Sequence, residues 1–83
     1  MALSREEIFE QIQDLTAKKL YLEKSEITLE SDFVKDLGAD SLDLVELVIS
    51  FEQTFKVKIP DDEGSQVFVV KDAVDLVENL NQA

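Results

Sequence analysis

The sequence predicts an all-α fold: a small four-helix bundle with a long first loop and a short third helix. Three segments repeat apolar residues at helical spacing, and the one strand-like run, VFVV at residues 67–70, is short and has no obvious pairing partner. The chain has 83 residues, of which 45% are hydrophobic, enough for one compact core but not for two. We therefore expect a single domain over residues 1–83.

The first helix is predicted to start after Ser4. Ser4 is suited to be its N-cap, and Glu7, three residues later, completes a capping-box signature. Apolar residues then recur at helical spacing to about Leu20. The following stretch, YLEKSEITLESDFVKDLGA, loses this periodicity, so we predict a long connection that its apolar side chains pin to the core. Within it, Gly38 provides a backbone position without side-chain constraint just before the next helix.

The second helix, predicted over about residues 41–55, has the strongest periodicity in the sequence. Pro60 ends the helical pattern, because a proline disfavours helical geometry at the residue before it. A short third helix is predicted around residues 61–67, where Gly64 weakens it. The last helix is predicted over residues 70–80, and one of its faces is apolar: Ala73, Val74, Val77 and Leu80.

The charge of the chain restricts its partners. There are 19 acidic and 8 basic residues, which give a formal net charge of -11. Such a chain repels phosphate backbones and anionic lipid surfaces, so nucleic acid is excluded as a favoured partner. We expect partners with basic surfaces, whose approach is accelerated by electrostatic steering that salt weakens.

The chain contains no Cys and no His. Disulfides, thiolate metal ligands, cysteine nucleophiles and the commonest general base at neutral pH are thereby excluded, which argues against an enzyme. No segment is long and apolar enough to cross a bilayer, and the N-terminal MALSREEIFE lacks a signal-peptide pattern. We therefore expect a cytoplasmic monomer that does not insert into membranes.

The second helix has more apolar residues than packing requires. A helical wheel places one stripe toward the core. Three further residues, Leu42, Val45 and Ile49, form an apolar shoulder beside Glu46. Either the preceding loop covers this shoulder, or it docks a partner whose apolar groove is rimmed by Arg and Lys. The core-facing stripe consists of Leu44, Leu47, Val48, Phe51 and Phe55.

Ser41 stands between two aspartates at the predicted start of the second helix. Serine is a common N-cap, and most such serines have no other role. Asp40 and Asp43 compete for that role, however, and if Asp40 caps the helix, the hydroxyl of Ser41 is free to point outward. A phosphate ester on Ser41 would then lie at the positive end of the helix dipole. The flanking carboxylates would oppose it, which favours attachment by an enzyme over spontaneous anion binding.

At these residues, the motif LGADSLDLVEL, followed by IPDDE, resembles the acyl carrier proteins of dissociated fatty-acid synthesis. The resemblance covers nearly the whole chain, and its GADSLD segment is specific. It implies that Ser41, with Asp40 and Leu42 beside it, accepts 4'-phosphopantetheine from coenzyme A. A separate, magnesium-dependent phosphopantetheinyl transferase (holo-ACP synthase) would attach the arm, whose thiol would carry acyl groups as thioesters to fatty-acid synthesis enzymes.

The resemblance also implies two further sets of residues. One set would form the face that meets basic patches on partner enzymes: Asp40, Leu42, Asp43, Val45, Glu46, Ile49 and Glu52. The other would line a cleft that shelters the acyl chain: Leu44, Leu47, Val48, Phe51, Ile59 and Ala73. The chain departs from the family at Phe68 and Val69, where small hydroxyl residues commonly cap the last helix. A missing cap costs about 1 kcal/mol and alters the mouth of the cleft.

Other functions remain open at this point. The carrier could serve a polyketide or modified-lipid pathway, or the chain could be an unmodified docking or regulatory module of the same fold. A calcium-binding role is suggested by DDE and DLGAD, but the EF-hand spacing fails. Counting from Asp36, it places Ser41 where Gly is needed and Leu47 where the bidentate Glu belongs. We therefore predict no specific metal site.

Overall fold

In the computed structural model, which describes residues 3–60, 67 and 69–81, the chain folds into α-helices joined by loops. Three helices lie in the described residues: α1 (Arg5–Leu20), α2 (Ser41–Phe55) and α3 (Val70–Asn81). A short 3-10 helix, Lys24–Glu26, lies in the first connection. The all-α class is thus confirmed. The predicted short third helix falls on residues outside those described, Val67 excepted, so the four-helix count stays a prediction.

The ends of α1 are fixed by local hydrogen bonds. The Ser4 hydroxyl accepts a hydrogen bond from the backbone N–H of Glu7 at 3.2 Å, and the Glu7 carboxylate accepts one from the Ser4 N–H at 2.9 Å. The hydrogen bond from the Ser4 N–H, followed by the interaction with the Ser4 side chain, lowers the pKa of the Glu7 carboxyl group. The helix ends at Tyr21, whose backbone is left-handed with φ of 58°. The predicted capping box and the predicted end near Leu20 are confirmed.

The long first connection is ordered around a tight turn. The Asp32 carboxylate accepts hydrogen bonds from the N–H groups of Val34 and Lys35 at 2.9 and 2.8 Å. Gly38 then adopts φ of 76°, a left-handed conformation that a side chain would strain, and the chain turns into α2. Side chains of this connection reach the core, as predicted, but Val34 is an exception because it is 51% exposed.

The core lies where α1 packs against both α2 and α3. The predicted apolar stripes lie on its inner faces: Leu47, Phe51 and Phe55 of α2 are buried, and Leu44 and Val48 are partly buried against them. The buried apolar residues of the described part of the chain are Ile8, Ile12, Ile27, Phe33, Leu37, Ala39, Leu47, Phe51, Phe55, Ile59, Val70, Ala73, Val74 and Val77.

The start of α3 is stabilised by the first connection and not by a hydroxyl cap. The backbone N–H groups of Val70 and Lys71 donate to the carbonyls of Ser31 and Leu29, both at 2.9 Å. Val69 forms a single antiparallel bridge with Asp32. The expected penalty for a missing Ser or Thr cap is therefore offset, because neighbouring carbonyls accept from the first N–H groups of the helix. In the described part of VFVV, the residues form this single bridge and no β-strand.

Candidate functional site

Ser41 is the first residue of α2, and its side chain is not the helix cap. Asp40 is the cap: its carboxylate accepts a hydrogen bond from the Asp43 N–H at 2.8 Å, and the Asp43 carboxylate accepts one from the Asp40 N–H at 3.1 Å. Ser41 is exposed to solvent. Of the two readings of this serine, the structure therefore supports the one in which Asp40 caps the helix and leaves the Ser41 hydroxyl free.

The surroundings of Ser41 suit a phosphate ester. The first hydrogen bond within α2 is donated by the Leu44 N–H to the Asp40 carbonyl, at 3.0 Å. The N–H groups of Ser41 and Leu42 precede that bond and lie at the positive end of the helix dipole. The carboxylates of Asp40 and Asp43 flank the site and oppose an anion. Covalent attachment overcomes this opposition, whereas free phosphate would be held weakly.

A groove runs along α2 beside Ser41. Ser41 and Val34 border it, and its apolar floor includes Leu44, Leu47, Val48, Phe51 and Ile59. Behind it, between α2 and α3, lies a cavity of about 10 Å³, enough for one water-sized sphere. Its lining is wholly apolar and consists of Val48, Phe51, Ile59, Val67, Ala73, Leu76 and Val77. All six residues predicted to form a cleft thus border the groove or the cavity.

The apolar shoulder of α2 is open to solvent. Leu42, Val45 and Ile49 are 64%, 56% and 46% exposed, so the first connection does not cover them. That connection instead adds the exposed Val34 to the same groove margin that Val45 and Ile49 line. The interpretation in which the loop buries this shoulder is therefore wrong. An exposed apolar group of this kind, beside carboxylates, is typical of a surface that binds another protein.

The acidic residues of the predicted docking face all make contacts within the chain. Asp40 and Asp43 form the capping box, and the Glu52 carboxylate accepts a hydrogen bond from the Ile59 N–H at 2.8 Å. Glu46 forms an ion pair with Lys19 of α1. The hydrogen bond that Lys19 donates to Glu46, followed by the charges of Glu46 and Asp43, raises the pKa of Lys19. The helical wheel placed Glu46 beside the apolar shoulder and gave it no partner within the chain, whereas the structure pairs it with Lys19.

Comparison with known proteins places these features in a family. A family model described as a phosphopantetheine attachment site matches residues 10–64. The acyl carrier protein of Rubrobacter xylanophilus is 48% identical over 75 residues, which cover 90% of this chain and 93% of the relative. The acyl carrier protein of Guillardia theta is 43% identical with the same coverage. That of Porphyromonas gingivalis is 47% identical over 72 residues, 87% of this chain and 92% of the relative.

The chain belongs to the acyl carrier protein family. An acyl carrier protein bears a covalently attached 4'-phosphopantetheine group, transports acyl chains on it and is not an enzyme. The predicted family, carrier role and prosthetic group are therefore confirmed.

The residues of this acyl carrier protein fit the prosthetic group. The Ser41 hydroxyl is exposed and free of a capping role, the N–H groups of Ser41 and Leu42 precede the first hydrogen bond within α2, and the serine borders an apolar groove. When bound, the arm supplies the thiol that this chain lacks, since the sequence contains no Cys. Ser41 would hold the phosphate end of the arm, and the groove would receive its cargo.

Sequence reasoning missed two residues at this site. Lys19 meets Glu46 although the two residues lie on different helices, and no local spacing rule joins them. Val34 was assigned to the loop that packs on the core, but its side chain extends the exposed margin of the groove. A helical wheel of α1 could have placed Lys19 next to the apolar face, but not opposite Glu46. Within residues 3–60, 67 and 69–81, no group of three metal-ligating side chains occurs.

Proposed function

We propose that Ser41 is the attachment site of the 4'-phosphopantetheine arm in this acyl carrier protein. The observation that supports this most directly is the division of roles at the start of α2: Asp40 caps the helix, so the adjacent Ser41 hydroxyl is exposed and available. Asp40 and Leu42 would flank the phosphate. Ser41 also borders the apolar groove, which places the base of the arm next to the surface that would receive an acyl chain.

The transfer requires a separate enzyme. The Ser41 hydroxyl would attack the phosphorus next to the pantetheine end of coenzyme A, and the bond to the nucleotide part of coenzyme A would break. This chain has no His, and none of the hydrogen bonds of the described residues joins a basic side chain to Ser41. A magnesium-dependent phosphopantetheinyl transferase would therefore supply the base that takes the serine proton and the cation that stabilises the leaving phosphate.

The exposed face of α2 would dock that transferase and the enzymes of fatty-acid synthesis. Its apolar shoulder offers area that can be buried, and the surrounding carboxylates favour partners with Arg and Lys around their docking site. We propose that Asp40, Asp43, Glu46 and Glu52 supply the charge of this face and that Leu42, Val45 and Ile49 supply its apolar contacts.

The groove and the cavity behind it would shelter the acyl chain. Their linings share Val48, Phe51 and Ile59, so a chain that enters from the Ser41 end would meet apolar atoms continuously. The cavity of about 10 Å³ is too small for more than one or two methylene groups, so occupation by a longer chain requires α2 and α3 to separate. Leu44 and Leu47 would form the entrance, and Ala73 would line the far end.

We propose the fatty-acid pathway, because GADSLD and the resemblance along the whole chain favour it. A carrier for a polyketide or modified-lipid pathway is the second candidate. It keeps support from the unusual VFVV stretch at residues 67–70. We also propose a single domain over residues 1–83 that acts as a monomer in the cytoplasm. In the described part of the chain, the structure contains no helix with the length and apolar character needed to span a membrane.

Modification of Ser41 is tested by incubation with coenzyme A, magnesium and a phosphopantetheinyl transferase, followed by intact-mass measurement. The wild type should gain one phosphopantetheinyl group and Ser41→Ala none. Ser50→Ala is the matched control, because Ser50 lies on the same helix outside the DSL motif. Equal labelling of the wild type and Ser41→Ala would overturn the assignment, and an unlabelled wild type would favour the unmodified docking module.

A further inference from the structure

A lysine of the first helix reaches the acidic face that is proposed to bind partners. The Nζ atom of Lys19 pairs with the Glu46 carboxylate, and the two side chains are 35% and 45% exposed. Lys19 belongs to α1, whereas Glu46 is part of α2 and stands next to the apolar shoulder. The pair is therefore open to solvent and to any protein that covers the second helix.

Glu46 differs from the other acidic residues of the face because it is paired with a cationic side chain. Asp40, Asp43 and Glu52 accept hydrogen bonds from backbone N–H groups and form none of the described ion pairs, although the charge of Asp43 also acts on Lys19. Among the described ion pairs, Glu46 is the one member of this set that has a cationic side chain as its partner. A basic residue of a docking enzyme would find three carboxylates outside the described ion pairs and one that is already paired.

We propose that Lys19 is a specificity-determining residue that competes with the partner's Arg or Lys for Glu46. This proposal rests on the proposed docking role of α2. A partner that places one cation at Glu46 must displace Lys19 or share the carboxylate with it, and it also meets the positive charge of Lys19. A partner with a weakly basic patch is disfavoured by this arrangement, whereas one with several cations can use the unpaired carboxylates as well.

The size of the effect follows from the exposure of the pair. Exposed ion pairs contribute little to stability, so Lys19 can be displaced at a modest energetic cost. Its loss should therefore raise the efficiency of docking without unfolding the chain. Removing any lysine also makes the chain more negative, which by itself strengthens attraction to a basic partner. This effect of net charge has to be separated from the effect of freeing Glu46. Lys18 allows the separation, because it is the exposed neighbour in sequence and makes no ion pair with a described residue.

The test compares Lys19→Gln with Lys18→Gln, which changes the net charge equally. Wild type and variants are modified by a phosphopantetheinyl transferase at subsaturating carrier concentration and low salt, and kcat/KM is obtained from initial rates. We expect kcat/KM of Lys19→Gln to exceed that of Lys18→Gln by about two- to fivefold. Rising sodium chloride should reduce the difference, because salt screens exposed charges. Equal values for the two variants, or a slower Lys19→Gln, would overturn the proposal.

A second pair of variants tests whether Lys19 and the partner's cation compete for the Glu46 carboxylate. In a Glu46→Gln background, the competition for that carboxylate is absent and only the positive charge of Lys19 still acts on the partner. The advantage of Lys19→Gln over Lys18→Gln in kcat/KM should therefore be smaller than in the wild-type background. An advantage of the same size in both backgrounds contradicts the proposal. If the wild type itself takes up no phosphopantetheine, both the proposed function and this inference fail. If it is labelled and the two lysine variants behave alike, the inference alone fails.

Discussion

Asp40 and Ser41 have different roles at the start of α2. Asp40 satisfies a backbone donor of the first helical turn, and Ser41 is left with an exposed hydroxyl. An N-cap serine would have its oxygen engaged with the backbone, which would compete with chemical modification. The aspartate that precedes the serine thus has a structural role that frees the serine for its proposed chemistry.

Asp40 can be probed by two substitutions that separate its cap from its charge. Asp40→Ala removes the side-chain acceptor for the Asp43 N–H and should lower the free energy of unfolding by about 1 kcal/mol. Asp40→Asn keeps a carbonyl oxygen at the same position and should unfold at nearly the wild-type urea concentration. Urea denaturation followed by circular dichroism measures both. An equal loss in the two variants would mean that the charge of Asp40, and not its hydrogen bond, stabilises α2.

Thr16 has a buried hydroxyl with no hydrogen-bond partner among the described residues, and its side chain is fully enclosed. Thr16→Val keeps the shape of the side chain and removes the unpaired polar group, so it should raise the free energy of unfolding by about 1 kcal/mol. The urea midpoint reports the change. Thr28→Val is the control, because Thr28 is exposed and its hydroxyl is 3.2 Å from that of Ser31. A lower midpoint for Thr16→Val would show that the hydroxyl is stabilising.

At the scale of the element, the helices show which features of the fold follow from local sequence. The capping box of Ser4 and Glu7 and the extent of α2 were predictable, because each depends on residues within one turn or on an apolar period. The start of the last helix at residue 70 was also predicted and is confirmed. The hydrogen bonds that stabilise this start were not predictable, because its first donors reach carbonyls of Leu29 and Ser31 that are distant in sequence. The same limit applies at the site: the position of Ser41 was predictable from its motif, and the Lys19–Glu46 pair was not.

The end of α1 is strained at Tyr21. Its backbone is left-handed with φ of 58°, and its side chain is 93% exposed. Tyr21→Gly removes the steric cost of this conformation with little loss of packing. Glycine also makes the unfolded chain more flexible, which offsets part of the gain, so the free energy of unfolding should rise by about 0.5–1 kcal/mol. Tyr21→Ala is the matched control, because it removes the ring but retains the β-carbon. Thermal denaturation should show a gain for glycine alone, and an equal gain for alanine would contradict the strain argument.

At the scale of the whole molecule, charge opposes compactness. The net charge of -11 is held in a body whose extents are 32, 26 and 19 Å. The described ion pairs link Arg5 to Asp75 and Glu78, Lys19 to Glu46, and Lys24 to Glu10 and Asp14. These exposed pairs contribute little each. Most carboxylates of the described residues lie outside these ion pairs, and their mutual repulsion favours basic partners and weakens the isolated fold.

This repulsion predicts a stabilising effect of salt. Raising sodium chloride from a low concentration to about 0.5 M should raise the melting temperature, because screening weakens the many repulsive pairs more than it weakens the few attractive ones. Circular dichroism during heating measures it. Glu30→Gln, which removes one exposed charge, should raise the melting temperature slightly at low salt and have a smaller effect at high salt. A melting temperature that falls with salt would show that attractive pairs dominate.

The attachment of the first connection to α3 also affects how the groove moves. Phe33 and Val34 of that connection line the groove, and the carbonyls of Leu29 and Ser31 just before them hold the amide hydrogens of Val70 and Lys71. Those two hydrogens are shielded from solvent only while the connection stays in place. These two amide hydrogens therefore exchange with deuterium only when the first connection detaches from α3 and opens this wall of the groove. Their protection factors give the free energy of that local opening in the native chain.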